Sequence, residues 1–169
     1  LLWQVLSRLV KKNKAFADDL EIKLVGKVDI SVMDDIEKYG LKANLNKIAY
    51  LTHKEVTLVQ KQAQVLMLLV NNTPNAMGIT TGKFFEYLAA KRPVLCIGPA
   101  GGDADKILTE VNGGRFSAYG DEVKLEENIM YFYNKFKQGN LPSESRGIEK
   151  YSRKELTREM ANLLDSIKK

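Results

Sequence analysis

The loop at residues 71–82, NNTPNAMGITTG, has the composition of a seat for a phosphate. It follows a wholly apolar run, VLMLLV at 65–70, and opens a helix. Its small residues let the backbone approach a ligand closely. Thr80, Thr81 and Gly82 are predicted to present free N–H groups at the helix N-terminus, where an anion is favoured. Lys83, in the first turn, adds a point charge toward the same anion. With no anion present, a cation there opposes the helix dipole, so a bound phosphate removes a conflict. Glu86 lies three residues on and shares a face with Lys83. A carboxylate accepts two hydrogen bonds from a vicinal diol, so Glu86 can hold ribose hydroxyls while Lys83 and the amides hold a diphosphate. The competing reading is a solvated Lys–Glu pair contributing only about 0.2–0.5 kcal/mol. Spacing alone leaves both open.

These residues need a frame, and the chain supplies one by alternating strand and helix patterns. Residues 1–17 carry Leu2, Val5, Leu6, Leu9 and Val10 at helical spacing and predict one helix. Strands are predicted at 20–26, 47–51, 65–70, 94–97 and 115–118, the last entered through Gly113-Gly114. Helices are predicted at 30–39 with Gly40 as C-cap, 54–64, 81–91, 105–111, 122–137 and 153–167. The run 65–70 is apolar throughout, as a strand covered on both faces is. This order predicts an α/β fold, a Rossmann-like doubly wound parallel sheet flanked by helices. Such sheets bind ligands beyond the carboxyl ends of their strands, which directs attention to the loops after Gly26, Leu51, Val70 and Gly98. The one linker-like stretch is 139–145, GNLPSES.

The 169 residues suit one compact domain, with 44% hydrophobic and 28% charged residues. No run reaches the roughly 18 apolar residues of a membrane-spanning helix. Residue 1 is Leu, and a helix is already in progress there without the charged leader or cleavage site of a signal peptide. The expectation is a piece of a longer polypeptide. Cys96, the single cysteine, sits in an apolar run, excludes an internal disulfide and reads as a core residue in a reducing cytoplasm. A net charge of +5 favours anionic partners without choosing among them.

The stretch 79–99, ITTGKFFEYLAAKRPVLCIGP, closely resembles the nucleotide-sugar signature of GT-B glycosyltransferases of the retaining, bacterial surface-polysaccharide kind, the group 1 or family 4-like enzymes. In these a helix reading roughly K-x-x-E-Y-x-A-x-x-x-P-V enters the cleft and its glutamate binds the donor ribose. The glutamate corresponds to Glu86 and the lysine to Lys83. LVG at 24–26, AYLTHKE at 49–55, VLMLLV at 65–70 and the closing helix at 151–167 agree in order, so the resemblance covers nearly the whole chain. It implies that residues 1–169 form one C-terminal nucleotide-sugar-binding domain, half of a GT-B fold, whose N-terminal acceptor domain is absent. The implied activity is transfer of a sugar from a nucleotide-diphosphate donor to a carbohydrate or lipid-linked acceptor in bacterial polysaccharide biosynthesis. The chain alone is then expected to bind nucleotide weakly and to transfer nothing, with the catalytic residues unknown and placed in the missing domain. No cofactor and no metal are expected. Many retaining members carry a second glutamate eight positions before the first; here that position is Gly78, so backbone groups around Gly78 and Ile79 would hold the sugar, and its identity and the stereochemical course stay open.

The resemblance also places the loop with Leu51 and His53 near the base; the plainer reading of His53, the only histidine, is a helix cap, and zinc is not expected. Asp103, after the turn GPAGG at 98–102, reads as an N-cap, although the resemblance turns this loop toward the cleft and leaves a role near the donor sugar open; Lys27 reads as a solvated turn residue, with an approach to the nucleotide as the alternative. The basic helix with Arg8, Lys11, Lys12 and Lys14 is either a solvated face or a peripheral contact with the inner face of a membrane, with the cytoplasm as the expected compartment. Two alternative functions remain compatible with the sequence: a nucleotide-sugar 2-epimerase of the same fold, and a non-catalytic nucleotide-binding α/β module. Nucleic acid is not an expected partner, since no basic-aromatic stripe accompanies the charge.

Overall fold

The computed structural model describes residues 1–141 and 144–167; residues 142 and 143 of the linker-like stretch lie outside the described residues. The expected first helix is two. Helix α1 is Leu2–Lys12 and α2 is Lys14–Asp19, separated by Asn13 in an extended conformation. The Asn13 side chain accepts from Phe16 N at 3.1 Å and so caps α2, the local competition by which asparagine interrupts a helix. An apolar periodicity that runs through both pieces concealed the break.

The strands are β1 (Ile22–Val25), β2 (Leu45–Ile48), β3 (Leu66–Leu69), β4 (Val94–Gly98) and β5 (Gly114–Ala118). Helices α3 (Ile30–Lys38), α4 (His53–Gln62), α5 (Gly82–Ala89), α6 (Asp103–Glu110), α7 (Glu122–Lys137) and α8 (Arg153–Ile167) alternate with them. The second strand is corrected: it begins at Leu45, and residues 49–51 form a loop with Tyr50 86% exposed. Among the described residues all strand pairings are parallel, as expected, but they fall into two ladders, β1 with β2 and β3 with β4 and β5. Side chains join what hydrogen bonds do not. Ile22 and Leu24 from β1, Met67 from β3 and Leu95 and Ile97 from β4 share one core with α1, α3 and α7. A second core on the other face gathers Leu68, Val94 and Cys96 with Phe84 and Leu88 of α5 and Leu108 of α6. Helices therefore cover both faces, the doubly wound arrangement.

Burial shows which strand is central. All of β4 is buried, and Cys96 sits in it as a core residue, its thiol pushed up to about 12 by desolvation. Strand β3 is not covered on both faces as expected, because Leu69 is 48% exposed. The α7 side supports β5 through Asn128, which is 1% exposed and donates to Phe116 O at 2.8 Å and to Ser117 Oγ at 2.9 Å. Asn128→Ala strands these partners in the interior and is expected to lower stability by about 2 kcal/mol in a urea titration. An unchanged midpoint and slope would refute that role.

Helix α1 docks on α7 through Arg8, whose guanidinium meets Glu122 at 3.0 Å and Glu126 at 2.7 Å. The hydrogen bonds it donates to both carboxylates, Glu122 first, raise its pKa. Arg8 thus leaves the basic face proposed for a membrane, while Lys11, Lys12 and Lys14 remain exposed on it. Among the described residues no helix is long and apolar enough to cross a membrane. Helix α8 is amphipathic as expected, yet it buries no residue, and Leu156, Met160, Leu163, Leu164 and Ile167 are exposed.

Candidate functional site

The loop after β3 makes a short 3-10 turn at Ala76–Gly78, then enters α5 with Thr81 as N-cap. Ala76 anchors the turn by burial, and Ile79 packs half-buried against the second core. Thr81 makes no side-chain cap, and Phe84 N bonds Thr81 O at 3.0 Å. The first-turn N–H groups of Gly82 and Lys83 therefore lack a partner within the α-helix ladder, as they do at any helix start. A Cβ added to Gly82 would meet nothing within 4 Å, so the backbone there is open to a ligand. A cavity of about 630 Å³ adjoins it, lined by Leu69, Asn71, Thr81, Gly82, Lys83 and Tyr87 among others.

Phe84 and Leu88 anchor α5 from below at 0% and 3% exposure, which turns Lys83 and Glu86 outward as expected. The competing Lys–Glu pair is not seen: among the described residues no ion pair joins Lys83 and Glu86. Glu86 instead accepts from Gln60 Nε2 of α4 at 3.5 Å, a long and weak contact. Gln60 was not anticipated, although it lies seven residues from His53 and therefore on the same face of α4. Burial raises the pKa of the neighbouring Tyr87 hydroxyl, with the Glu86 charge adding to the effect. That phenol stays neutral and is able to donate into the cavity it lines.

The structure brings Thr80, Thr81, Gly82, Lys83 and Glu86 to one rim and sets α4 beside it through Gln60. His53 begins α4 and lies about 10 Å along the axis from Gln60. It is not the cap. Thr52 caps α4 and forms a capping box with Glu55, which holds the Glu55 carboxyl below its ordinary range by hydrogen bonds from Thr52. His53 is left exposed, and Leu51 half-buried beside it. Among the described residues no hydrogen bond or ion pair ties either to Glu86.

The loop after β4 folds over the turn at Ala76–Gly78. Gly101 adopts φ +71°, and its N–H donates to Asp105 Oδ2 at 2.9 Å. A Cβ on Gly102 would sit 3.2 Å from Met77 O, so the two loops are in close contact. Asp103 is not the N-cap of α6; Gly102 holds that position without a side-chain bond. The Asp103 carboxylate lies instead 4.0 Å from the point where Gly78 would carry a Cβ, and 3.6 Å from Lys106. Residues 103–105 also have Asp-x-Asp spacing, so the metal-free expectation cannot rest on the absence of that motif. Asp105 is committed to the Gly101 amide, and among the described residues no group of three or more His, Cys, Asp or Glu gathers as metal ligands. Tyr119 braces the rim by donating to Val70 O at 2.8 Å. A second cavity of about 380 Å³, beside β5 between α6 and α7, contains none of the expected site residues.

The comparisons with known proteins bear on the fold. No family model matches the chain. No curated protein matches it either. A solved structure, that of WaaG, a glycosyltransferase involved in lipopolysaccharide biosynthesis, is similar with a TM-score of 0.61 at 18% identity. The similarity covers 82% of this chain and 35% of that one, so the chain spans about a third of its neighbour's length. The chain has a glycosyltransferase-like, Rossmann-like α/β fold.

Proposed function

We propose that the chain is the donor-binding domain of a GT-B glycosyltransferase that moves a sugar from a nucleotide-diphosphate donor to a carbohydrate or lipid-linked acceptor. The observation that carries the reading is the start of α5: an N-cap without a side-chain bond, a glycine facing open space and Lys83, all on one cavity, with Glu86 a turn further on. The similarity to a glycosyltransferase of lipopolysaccharide biosynthesis supports a glycolipid or polysaccharide acceptor. In this reading the amides of Gly82 and Lys83 and the Lys83 ammonium hold the diphosphate. Glu86 accepts the ribose hydroxyls, and the loop with Leu51 and His53 flanks the base. As the glycosidic bond breaks, negative charge grows on the departing diphosphate. Donors aimed there stabilise the transition state more than the ground state.

Gly78 acquires a role through its neighbour. Where related enzymes place a glutamate, this chain leaves space beside the Asp103 carboxylate, which offers a charge to the sugar from the next loop. The acceptor site and the groups that complete catalysis belong to a domain outside these 169 residues.

Product analysis tests the activity. A nucleotide sugar and the polypeptide extended to its partner domain should yield a new glycoside plus nucleoside diphosphate. The 169-residue chain alone should yield neither. Free epimerised sugar in place of a glycoside would mark a 2-epimerase, and transfer by the 169 residues alone would refute the two-domain reading. On the binding side, Lys83→Gln should weaken a nucleoside diphosphate about tenfold and the bare nucleoside hardly at all, since only the former carries the charge that Lys83 meets. Equal losses for both would remove Lys83 from the diphosphate site.

A further inference from the structure

Strand β5 ends its ladder, so one of its edges has no strand beside it. Val94 N bonds Gly113 O and Tyr119 N bonds Gly98 O, so the odd-numbered residues along β5 turn their backbone groups to β4. The even-numbered ones face the free edge. There the Phe116 carbonyl is taken by Asn128 Nδ2 at 2.8 Å, but among the described residues the N–H groups of Gly114 and Phe116 donate to nothing. The cavity of about 380 Å³ runs along this edge between α6 and α7. Two residues of its wall, Arg115 and Lys135, are half-buried cations. The Arg115 guanidinium lies over the Tyr131 ring, 3.5 Å from its centroid, and its one hydrogen bond, to Asn128 Oδ1, is at the 3.5 Å limit. The Lys135 ammonium is 5.8 Å from the same ring. Among the described residues neither cation forms an ion pair. Cation–π attraction fixes where the two charges sit and leaves their donors open. The other charged residues of the wall are engaged: Lys124 with Glu127 at 3.3 Å, Asp105 with the Gly101 amide at 2.9 Å and Glu144 with Asn112 at 3.3 Å.

We propose that this cavity binds a small phosphate monoester with hydroxyls on its organic part, the chemistry of a sugar phosphate. Charge and donor count select the phosphate. Two uncompensated cations suit a group with about two negative charges, and the Arg115 fork, the Lys135 ammonium and the two edge amides supply donors for its three free oxygens. A carboxylate, with one charge and two oxygens, would leave donors unmet. The remaining wall selects hydroxyls, because the Thr109 hydroxyl and the Asn112 and Asn140 amides can each donate and accept. Volume sets the size. A cavity of about 380 Å³ is near the lower end for small-molecule sites, which suits one sugar ring with its phosphate rather than a nucleotide sugar. The cavity beside Gly82 lies along β3, on the far side of β4, and the two share no lining residue. The inference therefore stands apart from the donor-site reading.

NMR titration of the 169-residue chain with glucose 6-phosphate, inorganic phosphate and glucose tests it. Glucose 6-phosphate should give saturable shifts at the Gly114 and Phe116 amides and at the Asn112 and Asn140 side chains, with an affinity about tenfold above that of inorganic phosphate. Glucose should give none. Arg115→Gln and Lys135→Gln should each weaken glucose 6-phosphate by about tenfold or more, whereas Lys11→Gln, on the exposed face of α1, should leave it unchanged. Lys135→Gln keeps the test open if Arg115→Gln disturbs the packing on Tyr131. Absence of saturable shifts at residues 112–116 with both phosphates would overturn the proposal. So would losses at Arg115 and Lys135 no larger than at Lys11, which would mark a general effect of charge. Equal affinity for the two phosphates would overturn the class of ligand, and shifts confined to residues 80–86 would overturn the place.

Discussion

Glu86→Ala is expected to weaken binding of a nucleoside diphosphate by about a hundredfold, roughly 2.8 kcal/mol, while leaving the fold unchanged. The size follows from losing two hydrogen bonds to a charged acceptor, each contributing about 1.5–3 kcal/mol, discounted for an exposed position. Stability should move by less than about 0.5 kcal/mol, because Glu86 is exposed and its contact with Gln60 is at the long limit of a hydrogen bond. Glu86→Gln keeps an acceptor and should lose less. The 2′,3′-dideoxy nucleotide gives the matching control: it should bind the wild type weakly, and Glu86→Ala should cost it almost nothing further. If the substitution weakened ribose and dideoxy nucleotides equally, Glu86 would not be the group that holds the diol.

The largest stability effect is expected at Gly114→Ala. A Cβ at this position would land on the Val94 carbonyl oxygen and 2.6 Å from Val94 N, both backbone atoms of the fully buried strand β4. Backbone cannot rotate away as a side chain does, so the β4–β5 pairing must open at Val94↔Gly114. The expected cost is about 3 kcal/mol or more, beyond the usual range for an added methyl group, read as a fall in urea midpoint. Gly113→Ala is the control. Its nearest contact is the Leu88 side chain at 2.7 Å, which can shift, so it should cost less. A smaller loss at 114 than at 113 would contradict this account of why the strand begins with glycine.

The fold class was legible because the strands that matter are short apolar runs between helices of ordinary length. Helices α7 and α8 match their expected bounds, and β4 differs from its expected range only by Gly98. What stayed hidden depended on partners distant in sequence. The split at Asn13 turns on one side-chain hydrogen bond, and β2 shifted to Leu45–Ile48 because it aligns with Ile22–Val25 of β1 rather than with its own most apolar residues. The central interruption of the sheet was not legible, since each strand looks complete in its own sequence. At the candidate site, the shared placement of Thr80 to Glu86 was legible from local spacing because one loop and one helix carry them all, whereas their role rested on the resemblance. The resemblance turned the loop at 98–103 toward the cleft, but the approach of Asp103 to Gly78 was not legible, because two loops bring them together. Thr52 rather than His53 caps α4, and the capping-box spacing Thr52 to Glu55 was in the sequence to be seen.

The central claim is that the start of α5 is a nucleotide-diphosphate seat, and titration of the 169-residue chain with UDP, GDP and ADP by NMR tests it most directly. The account predicts saturable shifts with one of the three, weak in affinity, centred on the amides of Thr81, Gly82, Lys83 and Glu86 and extending to the loop at Leu51 and His53. Shifts of the same size with all three that instead centre on the exposed lysines of α1 and α2, or no saturable shift at residues 80–86 in either the chain or the polypeptide extended to its partner domain, would contradict it.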